Sequence, residues 1–173
     1  MKLERRIQPI QLILSDVDGV LTDGSITFDN QGIETKSFHV RDGMGISLWQ
    51  KSGYQFGVIT ARSSHIVKVR MQELGVELVR QGSSDKIEVG LSLIQELGLN
   101  TEQVCYVGDD LADLGLMQRV GLAATVADGV DELKGVAHIV TRRNGGTGAI
   151  RELIEQILKS QKRWNELIEP FRN

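Results

Sequence analysis

Asp16-Val17-Asp18-Gly19-Val20 sets two carboxylates two residues apart at the end of an apolar run. A carboxylate can attack phosphorus directly when a second acid protonates the leaving oxygen. The remaining parts of such a transfer follow in chain order. Thr60-Ala61-Arg62 offers a hydroxyl, Lys86 a fixed cation, and Gly108-Asp109-Asp110-Leu111-Ala112-Asp113 further acidic groups. In this reading Asp16 is the nucleophile and Asp18 the proton donor, and Thr60 hydrogen-bonds a phosphoryl oxygen. Lys86 follows Ser83-Ser84-Asp85, a capping sequence, so it stands in a first helical turn. The helix dipole disfavours a cation there, which points Lys86 toward an anionic partner, either the phosphoryl group or Asp16. Arg62 is placed in a similar way and points toward substrate. Asp16, Asp18, Asp109, Asp110 and Asp113 gathered on one edge would repel without a cation, and oxygen donors with waters favour Mg²⁺. His39, His65 and His138 have no metal-ligand spacing, which disfavours zinc.

Each of these segments also has a plainer use. Asp-x-Asp-Gly occurs in surface turns, Thr60 can cap a helix, and Asp109 or Asp110 can cap the helix that follows. A calcium loop is disfavoured because Val20 and Leu21 occupy positions where it needs Asp or Asn and then Gly. Two glycine-rich stretches, His39-Val40-Arg41-Asp42-Gly43-Met44-Gly45 and Gly145-Gly146-Thr147-Gly148, can present backbone N–H groups to an anion or serve only as connections. Neither ends in the Gly-Lys-Ser/Thr of a phosphate-binding P-loop.

These residues must be positioned by a scaffold, and the pattern alternates strand and helix. Strands are expected over 10–14, 54–59, 76–79, 103–107, 121–125 and 137–140. Helices are expected from Asp42 as cap to about Ser52, and over 63–74, 85–97, 110–118 and about 130–134. A long C-terminal helix runs from Ala149 to about Ile168, with a break near Ser160. Gly75 and Gly98 stop two of the helices. Two β-prone runs between Ser25 and Val40 flank Asp29-Asn30-Gln31-Gly32 and predict a hairpin insertion. The order predicts an α/β fold, a Rossmann-like doubly wound and mostly parallel sheet with no inserted cap domain, as one domain over 1–173. In such sheets ligands bind beyond the carboxyl ends of the strands, where Asp16, Thr60 and Asp109 all fall.

Composition narrows the classes. A net charge of −3 over 173 residues suggests neither a nucleic-acid nor a membrane partner, and Arg142-Arg143 is too short a basic cluster to change that. The single cysteine, Cys105, sits in an apolar run and reads as a core thiol, which fits a reducing compartment. Met1 to Arg6 is basic but is not followed by a signal-peptide core, and no run reaches membrane-spanning length. The expected location is the cytoplasm.

Taken together, Asp16-x-Asp18-Gly19, Thr60, Lys86 and Gly108-Asp109-Asp110-x-x-Asp113 resemble, in order, the four motifs of the haloacid dehalogenase superfamily of phosphohydrolases. Among its capless members the chain is similar to the 3-deoxy-D-manno-octulosonate 8-phosphate (KDO 8-phosphate) phosphatases. The residues that carry this are Asp16 to Gly24, Phe38-His-Val-Arg-Asp-Gly-x-Gly45, Thr60-Ala-Arg62, Arg70, Gln81-Gly82 with Lys86, Gly108 to Leu111, and Gly145-Gly-x-Gly-Ala149. The resemblance implies Mg²⁺ held by Asp16, the Asp18 backbone carbonyl and Asp109. It implies a phosphosugar site lined by His39, Val40, Arg41, Asp42, Gly43, Arg62, Arg70 and Lys86. It also implies a homotetramer whose hairpins associate into a central barrel, with a neighbouring subunit covering each site. A projecting hairpin is not stable alone, which agrees. Two positions depart from the pattern: Ser47 stands where many members carry Arg or Lys, and Thr147 where some carry Arg.

Other classes are weighed on the same residues. A phosphatase for a related nonulosonate 9-phosphate is the nearest; its relatives tend to replace the Arg-Asp-Gly and Thr-x-Arg segments, both present here. A phospho-accepting receiver domain puts its acidic pair first and the accepting Asp on a later strand, the reverse of this order. A non-enzymatic oligomerisation module of this fold would be signalled by loss of Asp16 or Asp18, and neither is lost.

Overall fold

A computed structural model describes residues 2–172. Six strands form one parallel sheet: β1 (Leu12–Ser15), β4 (Gln55–Ile59), β5 (Leu78–Arg80), β6 (Val104–Gly108), β7 (Leu122–Thr125) and β8 (Ile139–Val140). Their order is β5-β4-β1-β6-β7-β8, and every neighbouring pair runs parallel. β2 (Thr27–Phe28) and β3 (Glu34–Thr35) form a separate antiparallel hairpin.

Strand alternation sorts the core into two layers. Ile13, Phe56, Val58, Cys105 and Val107 face one side, where they pack with α2 (Val40–Lys51), α3 (His65–Glu73) and α7 (Ala149–Ser160). Leu12, Leu14, Ile59, Val104 and Tyr106 face the other, with α4 (Lys86–Glu96), α5 (Leu111–Met117) and α6 (Asp131–Val136). α7 buries Ile150, Leu153, Ile154, Ile157 and Leu158, a spacing of three and four that makes one apolar stripe. At ~1.5–3 kcal/mol for each side chain taken from water, that stripe is a main anchor of its layer. The helices change faces between the β5 and β6 halves of the chain, so the switch point lies between β1 and β6. Asp16 sits there: its N–H donates to the Val107 carbonyl at 2.9 Å and extends the β1–β6 ladder to the nucleophile candidate itself.

The expected elements are present, with three main differences. α1 (Leu3–Ile7) was not anticipated; it is short and buries only Ile7. α2 begins at Val40 with His39 as its cap, so Asp42 does not cap it. Asp42 is buried and accepts from the Arg151 N–H at 2.7 Å, capping α7 instead. β5 begins two residues later than expected because the backbone at Val76 is still closing α3, its N–H donating to the Met71 carbonyl at 2.9 Å. The C-terminal helix is broken, as expected near Ser160, into α7 and α8 (Trp164–Ile168), with Lys162 at φ 60° between them.

Candidate active site

The loop after β1 turns tightly, with the N–H groups of Val20, Leu21 and Thr22 all pointing at the Val17 carbonyl. Gly19 has φ +89°, and a Cβ there would stand 2.0 Å from an Asp109 carboxylate oxygen. Only glycine lets the first and last acidic motifs approach this closely. The Gly145–Gly148 segment is tied to the same loop. Gly146 donates to the Val20 carbonyl at 2.9 Å, and a Cβ on Gly145 would stand 1.8 Å from the Gly19 carbonyl oxygen. Gly145 and Gly146 thus buttress their own chain's loop and do not project from it.

A cleft of about 270 Å³ opens beyond the strand ends, lined by Asp16, Asp18, Gly24, Thr60, Arg62, Lys86, Asp109 and Asp110 among others. Lys86, from the first turn of α4, is buried and donates to Asp16 Oδ2 and to Asp113 Oδ1, each at 2.6 Å. The Val17 N–H holds the other Asp16 oxygen at 2.7 Å. Burial opposes the charge on Lys86, but Asp113 and Asp16 more than offset it and raise its proton affinity. Asp16 is pushed up to about 6 by burial and by Asp113, against the pull of Lys86. Asp109 is pushed up to about 7 by burial and then by Asp16 and Asp113.

Asp16, Asp109 and Asp113 each offer a carboxylate oxygen within 4.8 Å of the others. Asp113 is nevertheless saturated. Its Oδ1 accepts from Lys86 and from the Tyr106 hydroxyl at 2.6 Å, and its Oδ2 from the Asp109 and Asp110 N–H groups at 3.1 and 3.3 Å. Asp109 is different: its Oδ1 is buried with no hydrogen-bond partner among the described residues. A buried carboxylate oxygen without a donor beside two other carboxylates is the chemistry of a cation site. Asp16 and Asp109 fit one through their side chains; Asp113 supports Lys86 and the loop.

Thr60 is buried, and its hydroxyl oxygen accepts from the Arg62 N–H at 3.3 Å. It does not cap α3, whose cap residue is Ser64. Arg62 donates to Glu34 Oε1 at 2.7 Å. Lys36, from the hairpin, donates to Asp18. Asp16, Asp18, Thr60, Arg62, Lys86 and Asp109 are therefore brought together as expected.

The second group of expected substrate residues is not in this cleft. His39, Asp42 and Gly43 lie beside Arg70 around a void of about 10 Å³. Arg41 lines a different cleft with Arg142, Arg143 and Arg151, and Val40 is 78 % exposed. The reason is packing: Asp42 is bound to α7, and a Cβ on Gly43 would stand 2.5 Å from the Arg70 guanidinium. Sequence reasoning missed Tyr106, the partner role of Asp113, and Lys36 and Glu34. Only the hairpin pair carried a signal, since strand alternation puts residues 34 and 36 on one face.

A buried carboxylate stands at the switch point with a buried lysine against it and an unpartnered carboxylate oxygen beside it, and a family model described as haloacid dehalogenase-like hydrolase matches residues 69–154. Over 157 residues the chain is 43 % identical to the 3-deoxy-D-manno-octulosonate 8-phosphate phosphatase of Yersinia pestis, covering 91 % of this chain and 84 % of that protein. The structure of the Moraxella catarrhalis 3-deoxy-D-manno-octulosonate 8-phosphate phosphatase, solved with magnesium, phosphate and KDO, matches with a TM-score of 0.95 at 37 % identity, over 98 % of this chain and 97 % of that one. The cobalt-bound Haemophilus influenzae deoxy-D-mannose-octulosonate 8-phosphate phosphatase matches with a TM-score of 0.88 at 37 % identity, over 91 % and 92 % of the two chains. The chain belongs to this family of 3-deoxy-D-manno-octulosonate 8-phosphate phosphatases.

Proposed function

We propose that the chain hydrolyses KDO 8-phosphate to KDO and phosphate through an aspartyl-phosphate on Asp16, with Mg²⁺ as cofactor. The observation that carries this is the Asp16 carboxylate fixed by Lys86 and Val17 beside the unpartnered Asp109 oxygen. Asp16 and Asp109, with the Asp18 carbonyl, would hold the Mg²⁺. That ion supplies positive charge against which an anionic nucleophile and a phosphate dianion can approach one another.

The chain's own residues do the rest. An Asp16 carboxylate oxygen forms a bond to phosphorus as the bond from phosphorus to the sugar oxygen breaks. Asp18 gives its proton to that oxygen. Water then attacks the aspartyl-phosphate, Asp18 takes the proton, and phosphate leaves with Asp16 regenerated. The Thr60 hydroxyl and the Lys86 ammonium donate to phosphoryl oxygens, and Lys86 keeps Asp16 oriented between turnovers.

Arg62 is the arginine within reach of the same chain's substrate. The position of His39 to Gly43 and Arg70 outside that cleft supports a role across a subunit boundary, where they would line a neighbour's site. Exposed apolar residues on the hairpin support a homotetramer built through it: Ile26 is 49 % exposed, Phe28 56 % and Ile33 56 %. The chain serves as one phosphatase domain over 1–173, with the hairpin as its insertion. No helix among the described residues is long and apolar enough to cross a membrane. The buried thiol of Cys105 is compatible with the reducing cytoplasm, where the product would feed lipopolysaccharide synthesis.

The test is a chemical trap. Acid quench during turnover followed by borohydride converts an aspartyl-phosphate to homoserine, and trypsin releases residues 7–36 as one peptide. Homoserine at position 16 supports the mechanism; homoserine at Asp18 or at neither position overturns it.

A further inference from the structure

Four charged side chains from three segments close a ring at the mouth of the cleft. Lys36 donates to Asp18 Oδ1 and lies 3.4 Å from Glu34 Oε1. Glu34 Oε1 accepts from Arg62 at 2.7 Å, and Arg62 Nε stands 3.7 Å from Asp18 Oδ2, which completes the circuit. The charges alternate and sum to zero. Ser64 pins the other Glu34 oxygen at 2.7 Å. The hairpin supplies half of this ring, and the cleft supplies the other half.

The Lys36 side chain is only 1 % exposed. Burying a lysine costs hydration and side-chain freedom, and among the described residues the carboxylates that offset that cost are Asp18 and Glu34. Among the described residues nothing else hydrogen-bonds the Asp18 side chain, and Glu34 is the one hydrogen-bonding partner of the Arg62 guanidinium. Without the hairpin pair, Asp18 and the half-exposed Arg62 would keep only their 3.7 Å contact with one another.

We propose that Lys36 and Glu34 are positioning residues, Lys36 orienting Asp18 and Glu34 orienting Arg62, so that the hairpin is mechanically part of the reaction it borders. This rests on the reading of Asp18 as the proton donor. Lys36 exchanges no proton in the reaction. The proton passes from Asp18 to the sugar oxygen as the phosphorus–oxygen bond breaks, and Lys36 fixes where that carboxyl stands. A lysine that merely staples the hairpin down would leave the chemistry of the leaving group untouched.

The experiment compares KDO 8-phosphate, whose alkoxide needs a proton, with p-nitrophenyl phosphate, whose phenolate does not. Full-length Lys36→Met, Lys36→Arg, Glu34→Gln, Asp18→Asn and the Lys36→Met/Asp18→Asn double variant are assayed with saturating Mg²⁺. Because Asp18 also serves the later attack of water on both substrates, the rate compared is single-turnover release of the leaving group: Lys36→Met should lower it for the sugar phosphate by ~10- to 100-fold and for p-nitrophenyl phosphate by less than ~3-fold, with partial rescue in Lys36→Arg. The double variant should be no slower than Asp18→Asn alone, because both changes remove one function. Glu34→Gln should act through Arg62 and raise KM for the sugar phosphate more than it lowers kcat. Equal losses on both substrates, or losses that multiply in the double variant, overturn the proposal. If Lys36→Met does not fold, the split between KM and kcat in Glu34→Gln decides. Absence of any leaving-group dependence in Asp18→Asn itself would instead remove the acid role of Asp18, and the double-variant cycle would still decide whether Lys36 acts through it.

Discussion

Asp113→Asn is the change that most tests how the site is built. Asp113 is fully buried and takes four donors on two oxygens: Lys86 and Tyr106 on one, the Asp109 and Asp110 N–H groups on the other. Asparagine has the same shape but one acceptor oxygen. Turned one way, its NH₂ confronts two backbone N–H groups; turned the other, it confronts an ammonium. Either orientation loses two hydrogen bonds, buries a donor against a donor, and leaves Lys86 with Asp16 as its only carboxylate. A charge-assisted bond is worth ~1.5–3 kcal/mol, and breaking a buried ion pair from one side costs ~3–5 kcal/mol. A destabilisation of ~3–5 kcal/mol is expected, on the order of 10 °C in Tm for a chain of this length. Urea unfolding followed through Trp49 and Trp164 reads it. Asp110→Asn is the control: Asp110 caps α5 through the Leu111 N–H at 2.7 Å, is exposed, and should cost under ~1 kcal/mol. Asp113→Asn should also lower kcat by ~10²-fold, as Lys86 closes onto the nucleophile it should merely steer. An Asp113→Asn protein within ~1 kcal/mol of the parent, at unchanged m-value, would refute the reasoning.

Three further outcomes are expected, two at the site and one at the hairpin. Asp16→Asn should fold yet lose at least ~10³ in kcat, because an amide cannot form the acyl phosphate; near-parental turnover by the purified variant would contradict it. Without metal, burial and neighbouring carboxylates push Asp16 up to about 6 and Asp109 up to about 7, above the ordinary 3.8, so their favourable share of stability is present below about pH 4 and lost as pH rises through those values. Added Mg²⁺ should therefore raise Tm more at pH 8 than at pH 5.5, and an increment independent of pH would count against these two residues as its ligands. If the hairpin builds the proposed tetramer, the parent should sediment as four chains and replacing Phe28 and Ile33 with Asp should give smaller species; a monomeric parent, or a tetramer unchanged by the replacements, would contradict it.

The scaffold was readable because its signals are local. Apolar runs bounded by Gly75 and Gly98, and acidic residues just past predicted strands, fix which edge of the sheet carries chemistry. Asp16, Thr60, Lys86 and Asp109 converge for that reason alone. For Asp42, an N-cap and a cross-helix cap leave the same mark in sequence, an Asp at the start of a helical run; only packing of α2 against α7 shows which helix it serves. In sequence Asp113 is one more acidic group in a cluster. Its four donors come from α4, β6 and the preceding loop, and no spacing within the chain announces that convergence. The ring at Lys36 depends likewise on where the hairpin lies, which a turn signal at residues 29–32 does not specify.

The central claim is that this site hydrolyses KDO 8-phosphate with Mg²⁺. The direct measurement is kcat/KM across a panel of phosphosugars that includes KDO 8-phosphate, a nonulosonate 9-phosphate and shorter hexose and pentose phosphates, with Mg²⁺ and with EDTA. KDO 8-phosphate should be preferred by at least ~10-fold, EDTA should abolish turnover and Mg²⁺ should restore it. Preference for the nonulosonate 9-phosphate, or undiminished hydrolysis in EDTA, would contradict it.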